Sequence, residues 1–109
     1  MSQDPEVSVV VVNHNRASLL SRCLASLQSQ TFKAFEILVV DNASTDESRG
    51  VVESTGDPRI HWLPQSVNHG FAAASNVGIK ASRSPLIALL NNDAEAGREW
   101  LERLVRAAE

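Results

Sequence analysis

Two carboxylates stand where apolar runs end. Asp41 follows Phe35-Glu36-Ile37-Leu38-Val39-Val40, and Asp93 follows Leu86-Ile87-Ala88-Leu89-Leu90 across Asn91-Asn92. A third run, Val7-Ser8-Val9-Val10-Val11-Val12, stops at Asn13-His14-Asn15. For any one such ending a plain polar turn is the commoner reading. The combination says more. A carboxylate accepts hydrogen bonds and an amide both accepts and donates, so Asp41 with Asn42 suits the edge of a base or ribose. Asp93 offers a hard oxygen ligand to Mg²⁺ or Mn²⁺. Such ions take one or two protein carboxylates and fill their other positions with water and substrate phosphates. Together these groups describe a nucleoside diphosphate site.

The elements that must carry them alternate along the chain. Residues 7–12 are β-branched and nearly all apolar, as in a strand covered on both faces. Leu20, Cys23, Leu24 and Leu27 then mark one face of a helix from about Ala17 to Gln30, with Asn15 or Ser18 as its cap. Residues 35–40 form a second buried strand. Ser44 with Glu47 three residues on is a capping box, which predicts a helix from about Thr45 to Ser54. Arg59-Ile60-His61-Trp62-Leu63 reads as a shorter, less apolar strand near the sheet edge. A third helix is expected over Phe71 to Ser82, a buried strand over Leu86 to Leu90, and a last helix to Glu109 with Trp100, Leu101, Leu104, Val105 and Ala108 on one face.

Strand–helix alternation implies right-handed crossovers and an α/β fold with a mainly parallel sheet between helices. In such sheets ligands bind beyond the carboxyl ends of the strands, near the point where strand order reverses. The three polar clusters should therefore lie side by side on one edge.

The bulk properties agree. The chain has 109 residues, 43% hydrophobic and 21% charged, as in an ordinary single globular domain. A formal charge of -3 with scattered Lys and Arg offers no basic stripe for a phosphate backbone, so nucleic acid is not the expected partner. Cys23 has no partner for an intrachain disulfide and falls on the buried face of a helix, where packing is its expected role. No basic segment leads into an apolar run at the N-terminus and no stretch suits a membrane span. A cytoplasmic location is therefore expected, with membrane association only in a longer parent chain.

Other chemistries lack their signatures. No Gly-x-Gly-x-x-Gly follows the first strand, and no Gly-Lys-Ser/Thr loop or Gly-x-Ser-x-Gly elbow occurs. A receiver-like phosphoacceptor domain should carry an acidic pair after its first strand, where this chain has Asn13-His14-Asn15.

Five blocks carry a resemblance: Val7 to Arg16, Ser29-Gln30-Thr31-Phe32, Val39 to Asp46, Asn68 to Gly78, and Leu90-Asn91-Asn92-Asp93. In order and spacing they closely resemble the family 2 glycosyltransferases, over nearly the whole chain from Val7. The resemblance implies a GT-A fold, Rossmann-like and three-layered, and transfer of a sugar from a nucleotide-diphosphate donor (UDP-, GDP- or dTDP-linked) with inversion. The acceptor would be a hydroxyl of a saccharide or lipid-linked molecule, with hexosyl- and rhamnosyltransferases as the nearest type. Carried over by position, Asn13, His14, Asn15, Asp41 and Asn42 would hold base and ribose. The region from Asn68 to Asn76, with Asn76 itself, would flank the diphosphate. Asn91-Asn92-Asp93 takes the place of the Asp-x-Asp motif, with Asp93 the ligand of Mg²⁺ or Mn²⁺.

Three positions depart from the pattern. Asn91 replaces a frequent first Asp, Asn42 a frequent second Asp beside Asp41, and His14 a frequent Tyr. One charge fewer faces the ion. The general base for an inverting transfer is an Asp or Glu in the half after the Asp-x-Asp strand, so it is expected beyond residue 109. The expected organisation is a tail over residues 1–6 and the donor-binding half of a GT-A domain over 7–109. The alternative is a non-catalytic nucleotide-binding or interaction module. Elsewhere, Asp46 and Glu47 should serve the helix start, His61 and His69 should be polar surface or turn residues, Asp57 and Glu95 should be solvated, with Glu95 the one that could face a ligand, and Trp62 and Trp100 should be core or half-buried packing.

Overall fold

A computed structural model describes residues 4–109, in which strand and helix alternate strictly. The order is β1 (Val7–Asn13), α1 (Ala17–Gln28), β2 (Phe35–Asn42), α2 (Ser48–Thr55), β3 (Ile60–Gln65), α3 (Phe71–Ala81), β4 (Leu86–Asn91) and α4 (Trp100–Ala108). Met1 to Gln3, half of the expected tail, lie outside the described residues. Pro5 is buried and the Glu6 amide donates to Ala34 O at 2.8 Å, so the remainder runs onto the sheet margin.

All four strands are parallel, in the order β3-β2-β1-β4. Handedness explains the layers. Moving outward from β1 through β2 to β3, right-handed crossovers put α1 and α2 on one face. The chain then returns past β1 to β4, and reversing direction sends α3 to the other face. The first face holds the larger core, where Val9, Val11, Ile37 and Val39 meet Leu20, Leu24 and Leu27 of α1, Val52 of α2 and Leu101 of α4. Each fully buried leucine here contributes roughly 1.5–3 kcal/mol. The second face holds Val10, Leu38 and Val40 under Ala74 of α3.

Two sequence expectations change. β4 is a sheet edge rather than a buried strand, with Ile87 41% and Leu89 48% exposed. These two share the face of Val10, and α3 packs over β1 and β2 instead of β4. β3, at the other edge, behaves as expected. It tolerates Pro64 because an edge strand leaves one row of amides unpaired.

Asp57 is not solvated. Its side chain is 9% exposed and accepts from Arg59 N (2.9 Å), Nε (3.0 Å) and Nη2 (2.7 Å) and from Gln28 Nε2 (3.3 Å). The Arg59 guanidinium also lies 4.3 Å from the Phe35 ring centroid, which closes the α2–β3 turn onto β2. At the foot of the sheet the buried Glu36 carboxylate accepts from Ser8 Oγ (2.5 Å) and from Arg83 N (2.9 Å) and Nε (3.1 Å). Burial alone would raise its pKa, but these bonds outweigh burial and hold it below the ordinary value. The entry to β4 is thereby fastened to β1 and β2.

Gly78 is the closest approach of helix to sheet. A Cβ there would collide with Val10 Cγ1 and stand 3.0 Å from Val10 Cγ2 and 3.2 Å from Val40 Cγ2. Gly78→Ala should destabilise the fold by about 1–3 kcal/mol in urea unfolding, since α3 must lift off the strands. The Arg59 hydrogen bonds lower the Asp57 pKa from 3.8 to about 2. A lowered carboxylate pKa stabilises the fold above its unfolded value, and that stability is lost as pH falls through the folded value. Asp57→Asn should therefore cost up to about 2 kcal/mol at neutral pH. The gap from the parent chain should close between about pH 4 and pH 2 in acid unfolding curves.

Candidate functional site

The carboxyl ends of β1 and β2 are knotted together by short polar side chains. Asp41, 2% exposed, accepts from Asn13 Nδ2 (2.9 Å) and Ser44 Oγ (2.6 Å) on Oδ1, and from Ser44 N (2.8 Å) on Oδ2. Asn15 occupies the left-handed region at φ 49°, which asparagine tolerates better than most residues. Its Oδ1 accepts from Thr45 N (2.7 Å) and Asp46 N (3.2 Å), and its backbone N–H donates to Ser44 Oγ (2.8 Å). Ala43 at φ 57° completes the tight β2 turn.

This network revises the helix starts. Ser44 does not form the capping box, because its hydroxyl is engaged with Asp41 and Asn15, and α2 begins later, at Ser48. Asp46 serves instead. Its Oδ1 accepts from Ser48 N (3.0 Å) and Oγ (2.5 Å), and its Oδ2 accepts from Ala17 N (3.1 Å) at the start of α1. One carboxylate thus satisfies the first turn of two helices, the work expected of Asn15 or Ser18 for α1. Partial burial pushes the Asp46 pKa up, but the bonds from Ser48 and Ala17 outweigh it and hold the carboxyl below its ordinary value. Helix-cap reasoning placed Asp46 at the start of α2 correctly, missed its bond to α1, and misassigned Ser44. The signal for Ser44 was the Asp-x-x-Ser spacing of a side chain closing its own turn.

Across β1 lies the reversal of strand order. Asn92 Nδ2 donates to Asn13 Oδ1 at 2.9 Å, bridging the crevice between β1 and β4. Asn13 is fully buried and therefore links Asp41 on one side to Asn92 on the other. The next residue, Asp93, is exposed, and no protein hydrogen bond reaches its carboxylate among the described residues. Beneath it Cys23 Sγ lies 3.7 Å from Asn91 O. Burial, with the Asp93 charge adding to it, pushes the Cys23 thiol up to about 12, so it stays protonated and inert as packing.

Asn42 and His14 close the other side. Asn42 is 3% exposed and its Nδ2 donates to Gly70 O at 3.2 Å, while its Oδ1 is buried with no hydrogen-bond partner. His14 Nδ1 donates to Asn42 O at 2.5 Å, which fixes the ring over the end of β2. Gly70 precedes α3 at φ 88°, a conformation that favours glycine. Asn76 is exposed in the second turn of α3, and Asn91 is exposed at the end of β4. The predicted residues thus fall into two groups. Asn13, His14, Asn15, Asp41 and Asn92 are engaged in holding the loops, whereas Asn42 Oδ1 and the side chains of Asn76, Asn91 and Asp93 retain free polar groups.

The donor set fits a divalent ion held jointly with a substrate. Among the described residues no three His, Cys, Asp or Glu side chains cluster as a self-sufficient site. Asp93 supplies one unengaged hard oxygen donor at the crevice, the share that Mg²⁺ and Mn²⁺ take from a protein when phosphates and water complete the shell. A separate surface depression of 640 Å³, lined by Thr31 and residues 97–100 and 103, includes no strand end.

A parallel sheet with helices on both faces and polar clusters at its reversal point defines a doubly wound α/β fold, and the solved structures it resembles are GT-A glycosyltransferases. S. aureus TarS 1-349 in complex with UDP superposes with a TM-score of 0.86 at 26% identity, over 93% of this chain and 31% of that one. The mannosyltransferase PcManGT from Pyrobaculum calidifontis, in complex with GDP-Man and Mn²⁺, gives 0.76 at 25% identity, over 85% of this chain and 29% of that one. The sequence model of glycosyl transferase family 2 matches residues 8–109, and the chain belongs to that family. Among curated relatives, glycosyltransferase AglE of Haloferax volcanii is 35% identical over 103 residues, covering 91% of this chain and 34% of AglE. Validoxylamine A glucosyltransferase of Streptomyces hygroscopicus subsp. jinggangensis is 37% identical over 110 residues, covering 97% and 26%. The chain therefore spans about a quarter to a third of these relatives' length.

Asp41→Asn tests the knot. An amide in place of the carboxylate turns an N–H toward Asn13 Nδ2 or Ser44 N, so a buried donor loses its acceptor. Unfolding stability should fall by about 1–3 kcal/mol in denaturant titration.

Proposed function

We propose that this chain is the donor-binding half of an inverting glycosyltransferase, which transfers a sugar from a nucleotide-diphosphate donor to an acceptor hydroxyl. The observation that carries this reading is a pair of unengaged groups at the strand ends: the buried, unpartnered Asn42 Oδ1 at the end of β2 and the free Asp93 carboxylate beyond β4. An orphaned buried acceptor costs about 1–3 kcal/mol unless something donates to it. The ring N–H of uracil, thymine or guanine is such a donor, so a UDP-, dTDP- or GDP-linked sugar meets the need, with a pyrimidine nucleotide taken as the first choice. The UDP-GlcNAc bound by TarS supports this assignment, and the GDP-Man bound by PcManGT makes GDP the natural comparison.

In this reading His14 lies beside the base and Asn13, Asn15 and Asp41 act by holding the loops that frame base and ribose. Asn76 and Asn91 face the diphosphate from α3 and β4. Asp93 is the protein ligand of Mg²⁺ or Mn²⁺, which when bound neutralises charge on the departing diphosphate. The general base and the saccharide or lipid-linked acceptor site belong to further polypeptide of the kind the relatives possess. Binding without turnover is the second reading. A hexosyl or rhamnosyl donor and a cytoplasmic setting go with the transferase reading.

Calorimetric titration of UDP, dTDP and GDP into this chain, with Mn²⁺ and again with EDTA, is the test. UDP or dTDP should bind with Mn²⁺, and Asp93→Ala should weaken that binding by about tenfold or more, the scale of losing a metal ligand. Asn42→Ala should weaken binding with and without metal alike. Binding of none of the three nucleotides, or full metal dependence retained in Asp93→Ala, would sink the assignment.

A further inference from the structure

The chain following Asp93 has no regular structure until α4 begins at Trp100, and Glu95, Gly97, Arg98 and Glu99 are all exposed. A segment of this kind, left alone, would let the carboxylate wander by several ångströms. It is instead pinned to the far end of α1. Ser26 Oγ accepts from Ala96 N at 2.9 Å, and Thr31 N donates to Arg98 O at 2.9 Å. Between these sits Gln30, a large polar side chain that is fully buried. Its Nε2 donates to Gly97 O at 2.6 Å and to Ser26 O at 3.1 Å, and its Oε1 accepts from Leu101 N at 3.0 Å.

Both amide hydrogens and the carbonyl are thus engaged, and one of the three bonds fastens the segment that follows Asp93 while another holds the first turn of α4. Burying an amide side chain is costly unless every group is paired, so this one has a use that an apolar residue of the same size could not serve. At the other end of the segment Asn92 is tied to Asn13. Asp93 therefore stands on a span held on both sides, by Asn13 at the sheet and by Gln30 beneath α4.

We propose that Gln30 is the positioning residue for Asp93. By holding Gly97 O and Leu101 N it sets where the Asp93 carboxylate stands at the crevice, and so how strongly nucleotide and divalent ion reinforce each other. This rests on the reading of Asp93 as the metal ligand. Groups hydrogen-bonded to a metal ligand itself commonly change metal affinity about 10- to 100-fold when removed, and Gln30, which acts through the backbone beyond Asp93, belongs at the lower end of that range.

The test compares Gln30→Met and Gln30→Glu with the parent chain and with Gly78→Ala, which weakens the fold from the opposite face of the sheet. Two quantities are read: the ratio of UDP Kd in EDTA to that in Mn²⁺, and amide hydrogen exchange over residues 92–99 in the nucleotide-free chain. Gln30→Met should lower the ratio about tenfold, with UDP affinity in EDTA changed less than twofold, and should speed exchange across residues 92–99. Gln30→Glu keeps the acceptor for Leu101 N but loses the donor to Gly97 O. It should fall between, and it carries the test if Gln30→Met does not fold. Gly78→Ala should leave the ratio unchanged. A folded Gln30 variant with the parent's ratio would overturn the role of Gln30 while leaving Asp93 as the ligand. A parent chain whose UDP affinity ignores Mn²⁺ would overturn the metal reading of Asp93, and the role of Gln30 with it.

Discussion

The handedness of the crossover is the constraint on which this structure rests. Twisted parallel strands accept right-handed connections almost exclusively. A chain that steps outward twice from β1 and then comes back must change faces. That single change puts α1, α2 and α4 on one side and α3 on the other. It also opens the crevice between β1 and β4, because the loops leaving those two strands turn to opposite faces. Everything of chemical interest in the chain collects along the edge where that crevice lies.

The edge is built from short polar side chains that would be costly to bury singly. Asn13, Asp41 and Asn42 are each 3% exposed or less. The first two are acceptable because they satisfy one another and Ser44. Asp46 extends the same logic outward, ending two helices with one carboxylate. A fully satisfied network of this kind is stiff, and stiffness is what a site needs if binding is not to be weakened by loop ordering. Against that background the unpartnered Asn42 Oδ1 and the free Asp93 carboxylate stand out, since Asn13, Asn15, Asp41 and Ser44 beside them are all engaged. Glu36 shows the same economy at the foot of the sheet, where Ser8 and Arg83 satisfy a buried carboxylate that anchors the strand carrying Asp93.

Much of this was legible in the order of residues. The β-branched run of residues 7–12, the 3–4 spacing of Leu20, Cys23, Leu24 and Leu27, and the recurrence of strand and helix were enough to predict a parallel α/β sheet. The five motif blocks were enough to anticipate the family. These features are local or periodic, and periodicity reports which face of an element is covered whatever covers it. Where covering depends on a distant partner, sequence reading failed. The apolar run of β4 looked buried, yet Ile87 and Leu89 are exposed because α3 sits over other strands. Asp57 looked solvated, yet Arg59 and Gln28 enclose it.

The side-chain partnerships at the site belong to the same class. Ser44 four positions before Ser48 obeys helix-cap grammar, but its hydroxyl turns to Asp41 and Asn15, the latter 29 residues away. Nothing in the neighbourhood of Gln30 announces that it holds residues 67 and 71 positions along the chain. The sequence by itself determined the elements, their order and the residue types delivered to the strand ends, since local sterics and apolar spacing suffice for those. Only the tertiary structure decided which of those polar groups are engaged in holding the loops and which remain free for a ligand. That choice is made by hydrogen bonds between residues that chain order keeps apart and the sheet brings within 3 Å.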